Sequence, residues 1–254
     1  MGHLGGTVTR IGTLLLLTGW GSIAAQTAGT ATGQSKQKAS PAAGALTKIL
    51  EDVYEYRYGA VSAWFIVTDG GVITTDHMAE SGLPAFKAAI ASVTDKPVRY
   101  VIYSHDHADG VTGYRIFADT AKYVSHTRAA AKIAARGNAS APVPTITFDD
   151  HMQIELGGKV LDLYYVGRNH ADNMIVTLYP ARRFLVAIDF VPVNGLPRLS
   201  IEDSYPDEWV TSLAWIERNL DFDVLAQGHT PARGTNENVT RTRECVRTAS
   251  RGKC

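Results

Sequence analysis

Between Val61 and Asp76 the chain reads VSAWFIVTDGGVITTD, two apolar runs parted by Asp69-Gly70-Gly71. Runs of this kind around a Gly-containing turn predict a β-hairpin. LPAFKAAIASV, from Leu83, places proline early and good helix formers after it, which predicts a helix. KPVRYVIYS reads as a short buried strand and TGYRIFADT as helical. AKYVSHTRAAAKIAAR reads as a strand followed by an Ala-rich helix, and NASAPVPTITFDD as a proline-rich loop. HMQIELGGKVLDLYYVG predicts a second hairpin turned at Gly157-Gly158, and NMIVTLYP with RRFLVAID a third strand pair. In DEWVTSLAWIERNL, Trp209, Leu213, Ile216 and Leu220 recur at helical spacing. DFDVLAQGH is a last short strand ending at His229, and NENVTRTRECVRTA a C-terminal helix. No internal repeat is visible. Interleaved strands and helices with early hairpins predict α/β or α+β with a mixed sheet.

The chain has 254 residues, which suits one globular domain with or without a targeting segment. Hydrophobic residues make up 45% and charged residues 20%, enough for a substantial core. The formal net charge is zero, so no basic bias points to nucleic acid, and a small-molecule partner is expected. The first residues read as an address. Arg10 precedes IGTLLLLTGWGSIAA, a short apolar run ending in small residues. That order predicts a signal peptide over residues 1–25, cleaved near Ala24 or Ala25, and a periplasmic or secreted protein. The run is shorter than the ~20 residues of a comfortable span, so no stable membrane insertion is expected after cleavage. Residues 26–45, rich in Ala, Gly, Thr, Ser and Gln, read as a flexible leader, and 46–254 as the folded domain. Cys245 and Cys254 are placed to close a small loop in an oxidising compartment. Nothing in the pattern sets an oligomeric state.

Four polar clusters sit at strand ends: Ser104 to Asp109, His170 to Asn173, Asp189 and His229. Strand-end loops are where a rigid scaffold gathers residues distant in sequence. His105 and His107 alternate, which puts both on one side of an extended stretch. Asp109 continues the alternation until the turn bends it away. Imidazoles and carboxylates suit a borderline cation such as zinc. Without a metal, crowded imidazoles repel one another as they become charged. His105, His107, Asp109, His170, Asp189 and His229 therefore form the candidate metal set. His3, His77, His126 and His151 are expected to be surface or hydrogen-bonded residues, the usual state of a lone histidine.

On these residues the chain resembles the metallo-β-lactamase superfamily of zinc hydrolases, from about Trp64 to His229. The His-x-His-x-Asp motif of the family matches His105, His107 and Asp109. Its third histidine matches His170 in VGRNHADN, its later acidic residue Asp189 in LVAIDF, and its last histidine His229 in QGHT. Asp76 matches a supporting aspartate. The resemblance implies an α/β fold of the αββα type: a four-layer sandwich, two mixed β-sheets packed face to face with helices on the outer faces. It implies a first Zn2+ on His105, His107 and His170, and a second on Asp109 and His229, with Asp189 bridging. It also implies attack of metal-bound hydroxide on a lactam, lactone, ester or thioester, with Asp109 orienting the nucleophile.

Two departures from the family pattern matter. Gly110 stands where members with two full sites commonly carry a histidine, so one tightly bound Zn2+ and a second weaker one are expected. Pro192 stands where many lactamases carry a lysine for the substrate carboxylate, and Arg168 or Arg198 is the candidate substitute. The runner-up readings are a metal-binding scaffold with little turnover and an iron-dependent oxidoreductase on the same fold. DHMAESG, the loop around Pro142 and FVPVNGLPRLS are expected to recognise substrate. Trp64, Phe190 and Leu196 are read as core more readily than as pocket lining.

Overall fold

In the computed structural model, which describes residues 44–229 and 232–249, one sheet holds seven strands in the order of the chain. These are β1 (Ala45–Lys48), β2 (Val53–Tyr58), β3 (Val61–Thr68), β4 (Gly71–Thr75), β5 (Val98–Ile102), β6 (Lys122–His126) and β7 (Ile146–Phe148). β1 to β4 pair antiparallel, and β4 to β7 pair parallel. The second sheet has six strands, from β8 (His151–Leu156) and β9 (Lys159–Tyr165) through β10 (Ile175–Tyr179), β11 (Phe184–Val186) and β12 (Val224–Ala226) to β13 (Arg233–Gly234). β11 and β12 run parallel and the other pairs antiparallel, so both sheets are mixed. The helices are α1 (Leu83–Val93), α2 (Ala108–Val111), α3 (Thr127–Arg136), α4 (Pro206–Asn219) and α5 (Asn236–Ala249).

The burial pattern explains the layering. Side chains of a strand alternate between faces, and a strand covered on both faces reads as a continuous apolar run. In β3, Trp64 and Ile66 face the second sheet, where they join Leu161, Leu163, Phe184 and Val186. Ala63 and Phe65 face outward and are covered by Leu83, Phe86 and Ile90 of α1 and by Ile133 of α3. The second sheet behaves alike: Val176, Leu178 and Leu185 point outward onto Trp209, Leu213 and Ile216 of α4 and Val239 and Val246 of α5. The result is the expected helix–sheet–sheet–helix sandwich.

Several expectations are modified. TGYRIFADT forms only a 3-10 turn at Tyr114–Phe117, because Gly113 before it takes the left-handed conformation at φ 89°. The proline-rich stretch ends in β7, which owes its form to pairing with β6 rather than to its own pattern. β1, β2 and β13 arise in stretches for which no strand was expected. The strand expected to end at His229, β12, stops at Ala226, and His229 lies beyond it, bridged to Val61 of β3. Trp64 and Phe190 are core, while Leu196 is exposed. Residues 1–43 and Cys254 lie outside the described residues, as do the expected signal peptide, nearly all of the leader and the cysteine pairing.

Trp64 joins the layers. Its ring lies 5.4 Å from that of Phe184, and its Nε1–H donates to the Gln227 carbonyl at 3.1 Å. Trp64→Ala is expected to cost about 3–5 kcal/mol, the usual range for a buried tryptophan, measured by chemical denaturation.

Candidate metal centre

The centre stands where the parallel strands β4 and β5 end side by side. The Asp76 N–H donates to the Ile102 carbonyl at 3.0 Å, fixing where β4 stops relative to β5. Asp76 is fully buried and its Oδ2 accepts from the Ser104 N–H at 3.0 Å and the Ser104 hydroxyl at 2.8 Å. The same hydroxyl lies 2.8 Å from Nδ1 of His105. A hydroxyl that donates to a carboxylate accepts from the ring, so Nδ1 of His105 carries the proton and Nε2 is left bare. Burial pushes the Asp76 carboxyl well above its ordinary range, against the two Ser104 hydrogen bonds.

Asp106, between the two histidines, is buried and held by side chains of two other segments. Its Oδ1 accepts from Nδ2 of Asn173 at 2.7 Å, and its N–H donates to Oδ1 of Asn173 at 3.0 Å. Arg136 forms an ion pair with its other oxygen. The reciprocal amide pair ties the His105–His107 loop to the His170–Asn173 loop and so brings three histidines together. Their ring centroids lie 4.4, 4.9 and 5.2 Å apart, and Nδ1 of His107 faces Nε2 of His170 at 3.2 Å. Nε2 of His107 lies 3.0 Å from Asp203, which fixes its proton on the outer nitrogen. No local pattern distinguishes Asp203 from the other carboxylates of its loop.

A second group meets the first at Asp189. Its backbone is left-handed at φ 54°, a conformation aspartate tolerates better than most residues. Oδ2 of Asp189 lies 3.8 Å from Nε2 of His105 and 3.9 Å from Nδ1 of His77, and Oδ1 lies 3.0 Å from Nε2 of His229. Donor atoms of His77, Asp189 and His229 all lie within 4.8 Å of one another, as do those of His105, His107 and His170. Of the residues singled out from sequence, Asp109 stands apart at the rim. Its side chain is 64% exposed, and Oδ2 lies 3.8 Å from Nε2 of His77.

His77 is the correction. Expected as a surface or satisfied histidine, it is 1% exposed and its Nδ1 has no hydrogen-bond partner. The signal was present: His77 follows an aspartate at the end of an apolar strand, as the other candidates close or follow such runs. The other two described histidines of that set are satisfied. His126 caps α3 by accepting from the Arg128 N–H, and His151 pairs with Asp162 at 2.9 Å.

The donors fit a metal. Nε2 of His105 and Nδ1 of His77 are buried and, among the described residues, lack hydrogen bonds, while Nε2 of His229 and Oδ1 of Asp189 meet only each other, at 3.0 Å. Unmet buried polar atoms cost about 1–3 kcal/mol each unless something binds them, and imidazole with carboxylate suits a first-row divalent cation. Burial holds His105 well below the usual imidazole range, with His170 and His107 adding to it. Burial likewise brings His170 down to about 4. Burial lowers His77 too, partly offset by Asp189 and Asp109. Burial raises the Asp189 carboxyl, but His229, His77 and His105 together outweigh it and keep it ionised. Asp189 in turn raises His229.

A cleft of about 150 Å³ opens beside the second group, lined by Asp189, Pro192, Leu196, Arg198 and His229 among others. Arg198 therefore borders the centre. Arg168 does not: it is paired with Glu208 and lies over the Tyr205 ring at 4.6 Å.

Residues 56–229 match the family model of the metallo-beta-lactamase superfamily. Among curated proteins, the chain is 27% identical over 165 residues to the 2,4-dinitroanisole O-demethylase subunit alpha of Nocardioides sp. (strain JS1661), covering 63% of this chain and half of that subunit's length. It is 22% identical over 195 residues to a metallo-beta-lactamase type 2 of Elizabethkingia meningoseptica, covering 72% of this chain and 78% of that protein. Among solved structures, a metallo-beta-lactamase from Pontibacter korlensis superposes with a TM-score of 0.69 at 19% identity, over 80% of this chain and 99% of that one.

The lowered histidines give a direct test. A group whose folded value is depressed stays neutral until the pH falls through that value. In metal-free protein the His170 ring is expected to titrate near 4 and the His229 ring above 6.5, read from imidazole nitrogens by NMR. A His170 midpoint above about 6, close to the unperturbed imidazole value, would overturn the buried, uncharged cluster.

Proposed function

We propose that this chain, which belongs to the metallo-beta-lactamase superfamily, is an exported zinc-dependent hydrolase that attacks the carbonyl of a lactam, lactone, ester or thioester. The observation that carries the reading is the pair of unmet donor groups joined at Asp189 and opening onto a cleft. His105, His107 and His170 would hold one Zn2+ tightly: they are preorganised, and His105 and His170 are held below the ordinary imidazole range. Asp189 and His229 would hold a second more weakly, since His229 is half-buried and must give up a proton that Asp189 favours. Bound cations of this kind bring a water towards neutral pKa and polarise a carbonyl.

The remaining roles fall to side chains. Asp109, solvent-exposed at the rim, would accept the proton of the attacking water at its Oδ atoms and orient that water. Asp189 stays ionised between the two groups and supplies the negative charge that lets cations sit close together. Arg198 offers a fixed positive charge at the mouth of the cleft, where a substrate carboxylate would dock. Export rests on the order of charge, apolar run and small residues over residues 1–25; no helix among the described residues is long and apolar enough to cross a membrane.

The relatives differ in named activity, so fold alone does not select the substrate. The test is a panel on zinc-loaded protein: a cephalosporin, a lactone, an aryl ester, a thioester and 2,4-dinitroanisole. Chelator-sensitive turnover of at least one carbonyl substrate is expected, and His105→Ala is expected to reduce it by at least about 100-fold. A rate indifferent to chelator, or none on any substrate, overturns the proposal. Arg198→Ala is expected to raise KM about 10-fold, or about 1.4 kcal/mol, for carboxylate-bearing substrates and to leave neutral esters unchanged.

A further inference from the structure

We propose that His77 is a direct ligand of the second cation, delivered from the end of β4 into space that Gly110 and Gly228 leave open. This deepens the two-cation reading above and rests on it. The ring is almost wholly buried and packs on His229 at 4.9 Å between centroids. Its Nδ1 has no hydrogen-bond partner and lies 3.9 Å from Oδ2 of Asp189, while its Nε2 faces Oδ2 of Asp109 at 3.8 Å. Both imidazole nitrogens therefore look towards carboxylates, and neither meets one at hydrogen-bond distance. A ring kept only for packing would leave no buried nitrogen unmet; one that binds a cation shared with those carboxylates accounts for the spacing.

The glycines supply a second, independent observation. A Cβ at residue 110 would stand 3.0 Å from Nδ1 of His77 and 3.5 Å from Oδ2 of Asp76. A Cβ at residue 228 would stand 2.9 Å from Cγ2 of Ile188, 3.0 Å from the His77 Cβ and 3.2 Å from its Cγ. Two segments far apart in the chain thus leave room beside one imidazole. A side chain at 110 and the imidazole at 77 compete for one place, so the nitrogen absent from residue 110 is supplied by residue 77. With it, the second group becomes His77, Asp189 and His229, with Asp109 at the open side.

The experiment is titration of the metal-free full chain with Zn2+ against a competing chelator, with Co2+ visible spectra as the second readout. Wild type is expected to take two equivalents. His77→Phe keeps the ring volume without its nitrogens, and His77→Ala guards against misfolding of the first variant. Both are expected to keep the first equivalent unchanged and to weaken the second by more than about 100-fold, with loss of the second Co2+ spectrum. That exceeds the 10–100-fold cost of losing a residue that merely orients a ligand. The double variant His77→Ala/Gly110→His is expected to regain the second equivalent, which a positioning role at residue 77 would not allow. A loss below about 100-fold in the His77 variants, or a wild type that binds one equivalent, overturns the proposal. A wild type that binds none removes the metal-dependent reading itself.

Discussion

The centre depends on one buried carboxylate that two other segments clamp in place. Asp106 lies between His105 and His107 and is bound by Asn173 on one side and Arg136 on the other. A charge buried without a partner is costly, so each element of this clamp requires the others. The clamp sets the loop after β5 against the loop before β10. Its consequence is that three imidazoles from two distant segments meet at ring distances of 4.4–5.2 Å without any of them hydrogen-bonding the backbone around them. The sandwich positions the strand ends; the clamp converts that coarse placement into a donor set.

Around this point the electrostatics divide in two. In the first group burial holds His105 and His170 below the ordinary imidazole range, and the outer nitrogens of His105 and His107 face Ser104 and Asp203. The second group is mixed, with an ionised Asp189, a His229 that favours its proton and an Asp109 in solvent. His105 and His170 would bind a cation without first losing a proton, whereas His229 would have to give one up. The asymmetry between the groups thus follows from burial as much as from ligand number.

The scaffold and the recognition surface answer to different constraints. In the central strands both sheet faces are filled by apolar side chains, and such packing is indifferent to substrate. The cleft is shaped instead by residues 192–198 with Asp189, Gln227 and His229. There, the positive charge comes from Arg198, while Arg168 is engaged by Glu208 and Tyr205.

The hairpins at Asp69-Gly70-Gly71 and Gly157-Gly158 and the bounds of α1 and α5 follow from local pattern, because turn chemistry and helix periodicity are short-range properties. The alternation of His105, His107 and Asp109 is likewise legible, since two-residue spacing already implies a shared side. β1, β7 and β13 are not, because strands of two to four residues exist only through a partner strand. His77 is hidden in the sequence for a related reason. In sequence it is a single histidine after an aspartate, and it gains meaning only when Asp189 and His229 arrive beside it and Gly110 leaves it room. Sequence by itself determined which side chains are able to bind a cation; tertiary structure decided which of them share one, because donor distances depend on packing between segments that no local pattern connects.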